Sequence, residues 1–346
     1  MNPKIIISTI ILLVIAGGCT KKIRQAASPN LQDGKYDSEF SSGDLSVNLA
    51  RSVASIRKIY SVDYYTTWHF NQSSRVTWQD ISTGRYKKAA LGTISTHETN
   101  SGTATLILNR DHRIALLTCA HILNSKDTII STFSATAEDS YAYIKSFSVK
   151  DKQELYIKDL PQCGTFRVLA LDRDNDLAIV GKYCDGNVDS VKAIAYPSGS
   201  SYELGWGSLV YILGYPMGNL MITRGIVSPV NNMSGRLFSV DALLNRGYSG
   251  GIIMAIRDGV PNFEIVGIVK SMSTHQNYYL KPEKEIHDFY YSSFIKYEED
   301  VYVGTEELVN YGISFVVPIE TITTFYKKNR TSLITQGFNL DHFFIQ

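Results

Sequence analysis

Residues 245–251 read Asn245-Arg246-Gly247-Tyr248-Ser249-Gly250-Gly251, a serine with glycine on both sides. Glycine lets a backbone turn sharply and approach a bound molecule closely. This turn has two interpretations: a site that presents the hydroxyl of Ser249, or a plain glycine-rich hairpin. Apolar segments of strand length surround it on both sides, namely Leu209–Leu213, Met221–Val227, Ile252–Ile256, Ile265–Val269 and Ile313–Val317.

Short apolar segments of strand length, separated by turn residues, also occur in the upstream half of the chain. Many short strands separated by turn residues, without alternating helices, predict an all-β fold built from barrels or sandwiches. A Ser- and Gly-rich stretch over 186–207 divides the two halves. The upstream segments are Ala104–Leu108, Ile114–Thr118, Phe166–Leu171 and Leu177–Gly181.

The sequence predicts one domain over 51–346, with barrel one over about 85–185 and barrel two over about 205–330. Residues 273–310, rich in Tyr, Glu and Lys, are interpreted as an insertion. The spacing of Ile319, Ile322 and Tyr326 after a proline predicts a short closing helix at the C-terminal end.

The 346 residues have an ordinary globular balance, with 44% hydrophobic and 19% charged side chains. The formal net charge is +1, which provides no strong field to attract nucleic acid, so no nucleic-acid partner is expected. No Cys/His spacing is typical of a metal site, and no cofactor is expected.

The N-terminus predicts export. Lys4, the apolar run Ile5–Ala16 and two glycines form a secretory signal over 1–18, directly before Cys19. Cys19 resembles the lipidated cysteine of a bacterial lipobox, which would carry acyl chains such as palmitate. The alternative is an ordinary signal with an incidental cysteine. The lipobox predicts a lipid-anchored protein of the bacterial cell envelope, on the periplasmic face or cell surface, with a flexible tether over 19–50.

Three cysteines remain after Cys19, so at most one internal disulfide can form. Cys163 and Cys184 flank two adjacent predicted strands and could pair, which would leave Cys119 as a thiol.

Two further segments complete a possible hydrolytic set. His121 ends the stretch Leu117-Thr118-Cys119-Ala120-His121, and Asp176 precedes an apolar strand. Considered alone, His121 could equally be a partly buried histidine at a strand end, and Asp176 could be an ordinary aspartate in a turn. Peptide hydrolysis by serine needs a hydroxyl, an imidazole base and an orienting carboxylate. The order His, Asp, Ser is a known order for this triad, and the N–H groups of Gly247 and Ser249 are candidate oxyanion donors.

Leu117–His121, Asn175–Val180 and Gly247–Gly251 resemble the three signature segments of trypsin-like serine proteases. The HtrA/Deg branch of bacterial envelope proteases is a closer match, and the similarity covers roughly 90–330 without a PDZ domain. The further matching segments are Gly214–Gly218, Thr223–Ser228, Val240–Asn245, Val266–Val269 and Gly312–Pro318.

The resemblance implies a chymotrypsin-like double β-barrel with the active site between the barrels. It implies a serine endopeptidase that cuts protein or peptide substrates through an acyl-enzyme. The residue six before the nucleophile, Leu243, would form the base of the primary specificity pocket, and Lys270 would lie beside it. Leucine offers a cationic side chain no counter-charge, so cleavage after apolar residues is expected.

Three positions depart from the family pattern. Tyr248 replaces the usual Asp or Asn, Arg246 replaces a frequent proline, and Lys270 replaces a Ser or Asn close to the catalytic aspartate. A protease-fold scaffold that binds peptides without turnover is therefore the alternative function. An α/β-hydrolase esterase fits poorly, because its histidine should follow the serine in the chain.

Overall fold

The computed structural model describes residues 32–39, 44–133, 142–186, 188, 191–228, 237–282, 294, 296 and 301–345. Two β-sheets dominate these residues. The first has the strand order β4-β5-β1-β2-β3-β7-β6. Its strands are β1 (Ile56–His69), β2 (Gly92–Arg110), β3 (Arg113–Thr118), β4 (Thr128–Thr132), β5 (Ile144–Ile157), β6 (Arg167–Asp172) and β7 (Leu177–Tyr183).

The first sheet curls back on itself. A bridge between Phe166, just before the edge strand β6, and Leu155 of β5 joins this edge to the second strand from the other edge. All neighbouring strands are antiparallel. The second sheet is a closed barrel of order β10-β13-β12-β11-β8-β9. Its strands are β8 (Leu209–Gly214), β9 (Met221–Ser228), β10 (Phe238–Val240), β11 (Ile252–Ile256), β12 (Phe263–Pro282) and β13 (Val301–Pro318).

Eight of the nine apolar segments predicted from the sequence lie within strands, and the ninth lies in β6 except for its first residue, Phe166. The predicted all-β double-barrel fold is confirmed. The central strands have side chains that are buried on both faces, as β7 illustrates from Leu177 to Gly181. Continuous β-branched and apolar runs form such strands because neither face meets water.

The first sheet starts at Ile56, upstream of the predicted boundary at residue 85. The inward face of β1 carries polar as well as apolar side chains, and Ser61, Asp63 and Thr67 are buried. Gln153 Nε2 of β5 donates to Ser61 Oγ and Asp63 Oδ1, each at 3.0 Å. These hydrogen bonds offset the free-energy cost of burying polar side chains. Because the buried positions of β1 are partly polar, the sequence of this strand shows no regular alternation of apolar residues.

The helices are few and mostly short: α1 (Ser46–Val53), α2 (Trp78–Ser82), α3 (Tyr86–Ala89), α4 (Ile319–Thr335) and α5 (Asp341–Phe344). The predicted closing helix is α4, which at 17 residues is longer than predicted. Ile319, Ile322 and Tyr326 are buried in the core that both barrels share. In the described part of the chain, no helix has the length and apolarity needed to cross a membrane.

Part of the predicted tether over 19–50 is packed against the second barrel. Tyr36 is buried, its hydroxyl donates to Glu264 Oε2 at 2.5 Å, and its ring lies 4.1 Å from the guanidinium of Arg257. Aromatic stacking and a hydrogen bond to the ring's polar end explain why this polar stretch is ordered.

Two other predictions from the sequence concern a pair of cysteines and the stretch interpreted as an insertion. Cys163 and Cys184 form the disulfide that was a possibility from the sequence. The stretch interpreted as an insertion, 273–310, begins and ends as regular strand, because β12 runs on to Pro282 and β13 starts at Val301.

Candidate active site

His121 and Asp176 meet at one end of the first sheet. β3 and β7 are paired, with Thr118 opposite Ala178, so the turn after β3 lies beside the turn before β7. His121 Nδ1 lies 2.7 Å from Asp176 Oδ2, and the backbone N–H of His121 donates to Oδ1 at 2.8 Å. Asp176 is buried, whereas the His121 side chain is 47% exposed. The carboxylate thus orients an imidazole whose other nitrogen is open to a bound molecule.

The backbone of Asp176 is in the left-handed region, with φ of 60°. Aspartate and asparagine tolerate this conformation better than most residues. The local turn therefore aims the side chain at His121 before the chain enters the buried strand β7. Asp172 occupies the same turn and accepts instead from Asn175 N–H and Nδ2, at 3.0 and 2.8 Å.

Ser249 is brought to this pair from the second barrel by hydrogen bonds that cross the interface. Its carbonyl accepts from Thr103 N–H at 2.8 Å, and Thr103 Oγ1 donates to the carbonyl of Gly247 at 2.6 Å. The same Oγ1 accepts from Tyr215 N–H at 2.9 Å. Thr103 is fully buried, and sequence reasoning missed it because a threonine within a strand has no special spacing.

The two predicted oxyanion donors are free in the described structure. The carbonyl of Arg246 accepts from Met217 N–H at 3.0 Å, and that of Tyr248 accepts from Gly251 N–H at 2.7 Å. In a trans peptide the N–H points away from the C=O. The N–H groups of Gly247 and Ser249 therefore point away from these partners, and neither donates to another described residue.

Gly247 occupies a place that needs glycine. Its φ is 106°, and a Cβ there would lie 2.3 Å from the carbonyl oxygen of Tyr215. Either feature alone disfavours any other residue. The close approach keeps the serine turn against the segment that follows β8.

Among the described residues, no hydrogen bond joins Ser249 Oγ to His121. Ser249 itself is half-buried at the start of the turn into β11. Catalytic hydrogen bonds are often long without substrate and tighten when it binds. The Ser249 turn packs against the residue before His121's own turn, because a Cβ on Gly250 would lie 3.2 Å from the backbone nitrogen of Cys119.

Cys119, His121 and Asp176 also have ligand atoms within 4.8 Å of one another. The Cys119 thiol is fully buried and donates to the carbonyl of Val269 at 3.2 Å. Burial, and secondly the charge of Asp176, raise the pKa of this thiol well above its usual value. A thiol that stays protonated is a poor metal ligand, so this trio does not fit a metal.

Two residues that depart from the family pattern, Tyr248 and Lys270, differ in burial. Tyr248 is 3% exposed, and its ring packs in the core of the second barrel against Gly214. Lys270 is half-buried and forms no ion pair with Asp176 within the described structure. Neither side chain displaces the carboxylate from His121.

The predicted base of the specificity pocket lies in a segment whose exposure alternates. Leu243 is 68% exposed, while its neighbours Ala242 and Leu244 are buried. The role of Leu243 as pocket base, with Lys270 beside it, stays a prediction.

Cys19 and the predicted signal over 1–18 lie outside the described residues.

One comparison with known proteins supports the fold described above. Residues 102–268 match the family model of the trypsin-like peptidase domain, a span that includes His121, Asp176 and Ser249. No curated protein matches the chain. The matched span covers most of both barrels, from β2 to the part of β12 next to the serine turn. Residues 102–268 are therefore similar to a trypsin-like peptidase domain, and the chain has the chymotrypsin-like double β-barrel fold.

Proposed function

We propose that the protein is a serine endopeptidase with Ser249 as nucleophile, His121 as general base and acid, and Asp176 as the residue that orients it. The observation that carries this proposal is the His121–Asp176 pair, with the Ser249 turn held beside it by Thr103. Neighbouring free N–H groups on the same turn support acyl transfer over simple peptide binding.

In the proposed reaction, Ser249 Oγ attacks the carbonyl carbon of the scissile peptide while its proton passes to His121 Nε2. Asp176 accepts a hydrogen bond from His121 Nδ1–H throughout and stabilises the imidazolium. The N–H groups of Gly247 and Ser249 donate to the oxyanion. His121 then donates this proton to the leaving amine as the C–N bond breaks. Water attacks the acyl-enzyme by the same route and restores the serine.

The test is labelling of the full chain by a fluorophosphonate probe, together with cleavage of a casein. The wild type should be labelled and should cleave, and Ser249→Ala should do neither. Ser74→Ala removes an exposed hydroxyl far from the site and serves as the matched control. Equal labelling of the Ser249→Ala variant would refute the assignment. An unlabelled wild type that still binds casein would favour the scaffold alternative.

We also propose that Cys19 carries a lipid anchor in a bacterial cell envelope, and that the domain lies nearest to the HtrA/Deg branch. The small residues before Cys19 support the anchor. The resemblance of Gly214–Gly218 and Thr223–Ser228 to segments of that branch supports this placement. Met217 N–H donates to the carbonyl of Arg246 and Ile226 N–H donates to Asp241 Oδ1, so both segments contact the chain that leads to Ser249.

A further inference from the structure

The strands β12 and β13 leave the second barrel as a two-stranded arm. Their antiparallel register continues from Ser273 opposite Asn310 to Pro282 opposite Val301. β12 pairs with β11 only as far as Ile268, and β13 pairs with β10 only from Ser314 to Val316. Within the described residues no third strand joins the arm, so both of its edges are open.

One side of this arm is apolar. Residues opposite each other in an antiparallel pair share a face, and successive residues alternate between faces. Leu280 is opposite Val303, and Pro282 is opposite Val301. The apolar face of the arm therefore comprises Tyr278, Leu280, Val301 and Val303, which are 65%, 69%, 51% and 68% exposed.

The opposite face is more polar. It carries Lys281 and Glu306, together with Tyr279 and Tyr302, which are less exposed at 45% and 40%. A two-stranded hairpin is marginally stable in water on its own. A contiguous set of exposed apolar side chains on such a hairpin is typical of a binding surface.

The open edge of β12 starts at the serine turn. Gly250 N–H donates to the carbonyl of Val269 at 2.9 Å, and Val269 N–H donates to the carbonyl of Gly251 at 2.8 Å. From Lys270 onward this edge has no strand partner in the described structure. An extended chain bound at Ser249 can therefore continue along β12, with backbone hydrogen bonds to the edge.

The distance between Ser249 and the apolar face of the arm determines which molecules can contact both. Val269 and Leu280 are eleven residues apart, which corresponds to roughly 36 Å of strand. A peptide of four residues spans roughly 14 Å and cannot reach from Ser249 to the apolar face. A polypeptide with ten or more extended residues on one side of the scissile bond can.

We propose that the arm is an exosite that holds an extended, apolar-rich segment of a polypeptide substrate, away from the scissile bond. This inference rests on the proposed peptidase function. Continuity of the edge with the serine turn favours a substrate chain over a second copy of the protein. Residues 283–300, which connect the two strands, contain six acidic and two basic side chains, a balance that disfavours an anionic membrane surface.

The test uses Leu280→Thr/Val303→Thr, which replaces two apolar side chains by β-branched threonines that favour strands. Tyr279→Thr/Tyr302→Thr changes the opposite face and is the matched control. Binding of fluorescein-labelled β-casein is measured by anisotropy in the full chain with Ser249→Ala, so that no cleavage occurs. Fluorophosphonate labelling is measured with Ser249 intact.

The Leu280→Thr/Val303→Thr variant, called the apolar-face pair, should raise the Kd for β-casein about tenfold. This is the effect of losing one well-buried apolar contact. The control pair should leave this Kd unchanged, and both pairs should be labelled at the wild-type rate. An unchanged Kd for the apolar-face pair, or an equal rise for both pairs, would overturn the exosite.

Two other outcomes would assign the face to a different occupant and would also overturn the proposal. One is a dimer, detected by light scattering, that the apolar-face pair dissociates without any change in β-casein affinity. The other is binding to phosphatidylglycerol vesicles that this pair alone abolishes, again at unchanged affinity for β-casein. Failure of the peptidase proposal is distinguishable, because the wild type would then remain unlabelled whatever the binding result.

Discussion

Asp176 combines an unusual backbone conformation with burial and two hydrogen bonds to one histidine. Its left-handed φ of 60° turns the carboxylate towards His121, and both oxygens accept from that residue. Asp174, two positions earlier in the same turn, is exposed and lacks such contacts in the described structure. Position in the turn, not residue type, therefore separates the candidate catalytic carboxylate from its neighbours.

Asp176→Asn should keep the fold and lose most of the activity. Asparagine also tolerates the left-handed conformation, so the melting temperature should change little. Its amide cannot accept from both His121 Nδ1 and the backbone N–H in the same way, so the imidazole takes the wrong tautomer. We expect kcat for casein cleavage to fall roughly 10⁴-fold.

The control for this change is Asp174→Asn in the same turn, which should retain wild-type kcat. A melting temperature that drops with the activity of Asp176→Asn would indicate a structural role. Near-normal kcat at an unchanged melting temperature would exclude Asp176 from the triad.

At the scale of elements, the C-terminal helices are joined by one carboxylate. Asp341 at the start of α5 accepts from Arg330 Nε at 2.7 Å and Nη2 at 2.6 Å, and from the Tyr326 hydroxyl at 2.7 Å. Both donors are on α4, whose buried face packs on the shared core. The hydrogen bonds from Arg330, and secondly from Tyr326, lower the pKa of Asp341 to about 2.

This pKa shift predicts a pH-dependent contribution to stability. A carboxyl whose pKa is lower in the folded state stabilises the fold above its unfolded pKa of 3.8, and the contribution is lost as the pH falls towards 2. Asp341→Asn should therefore reduce the free energy of unfolding at pH 7, and the difference from wild type should be smaller at pH 3. Urea denaturation at the two pH values measures it.

Asp174→Asn, which removes a charge without an ion pair in the described structure, should show no such pH-dependent difference. If the loss from Asp341→Asn were the same at pH 3 and pH 7, the ionised carboxylate would not be the source of the stabilisation.

At the scale of the whole molecule, the N-terminal segment limits how far the domain can lie from a membrane. Residues 32–39 are already attached to the second barrel through Tyr36, with Asp37 N–H donating to the carbonyl of Ile256 at 2.9 Å. Twelve residues lie between Cys19 and Gln32, and the thirteen steps from one to the other reach at most roughly 45 Å. A lipid on Cys19 would thus hold the peptidase domain close to the envelope surface.

Cys19→Ser should move the protein from the membrane fraction to the soluble fraction of the producing bacterium, because the acyl chains supply the anchoring energy. Immunoblotting of fractions after a carbonate wash measures this. Cys119→Ser, which alters a buried thiol, is the matched control and should remain with the membrane. A Cys19→Ser protein that still sediments with washed membranes would rule out the anchor.

The fold class could be predicted because continuous apolar runs such as Leu177–Gly181 report burial directly, and because the closing helix α4 has a clear apolar spacing. The triad candidates were identified from three local segments and their order, without any distance between them. β1 shows where this reasoning fails, because it buries polar side chains that are paired by distant residues.

The sequence by itself determined the strands with apolar runs, the β-rich class and the identity of the candidate catalytic residues. Only the tertiary structure decided that Thr103 bridges the barrels, that the N–H groups of Gly247 and Ser249 are free, and that β12 and β13 form an arm. The physical reason is that local patterns record which side chains avoid water. Hydrogen bonds between residues more than a hundred positions apart, such as Thr103 and Gly247, form only once the strands have taken their register.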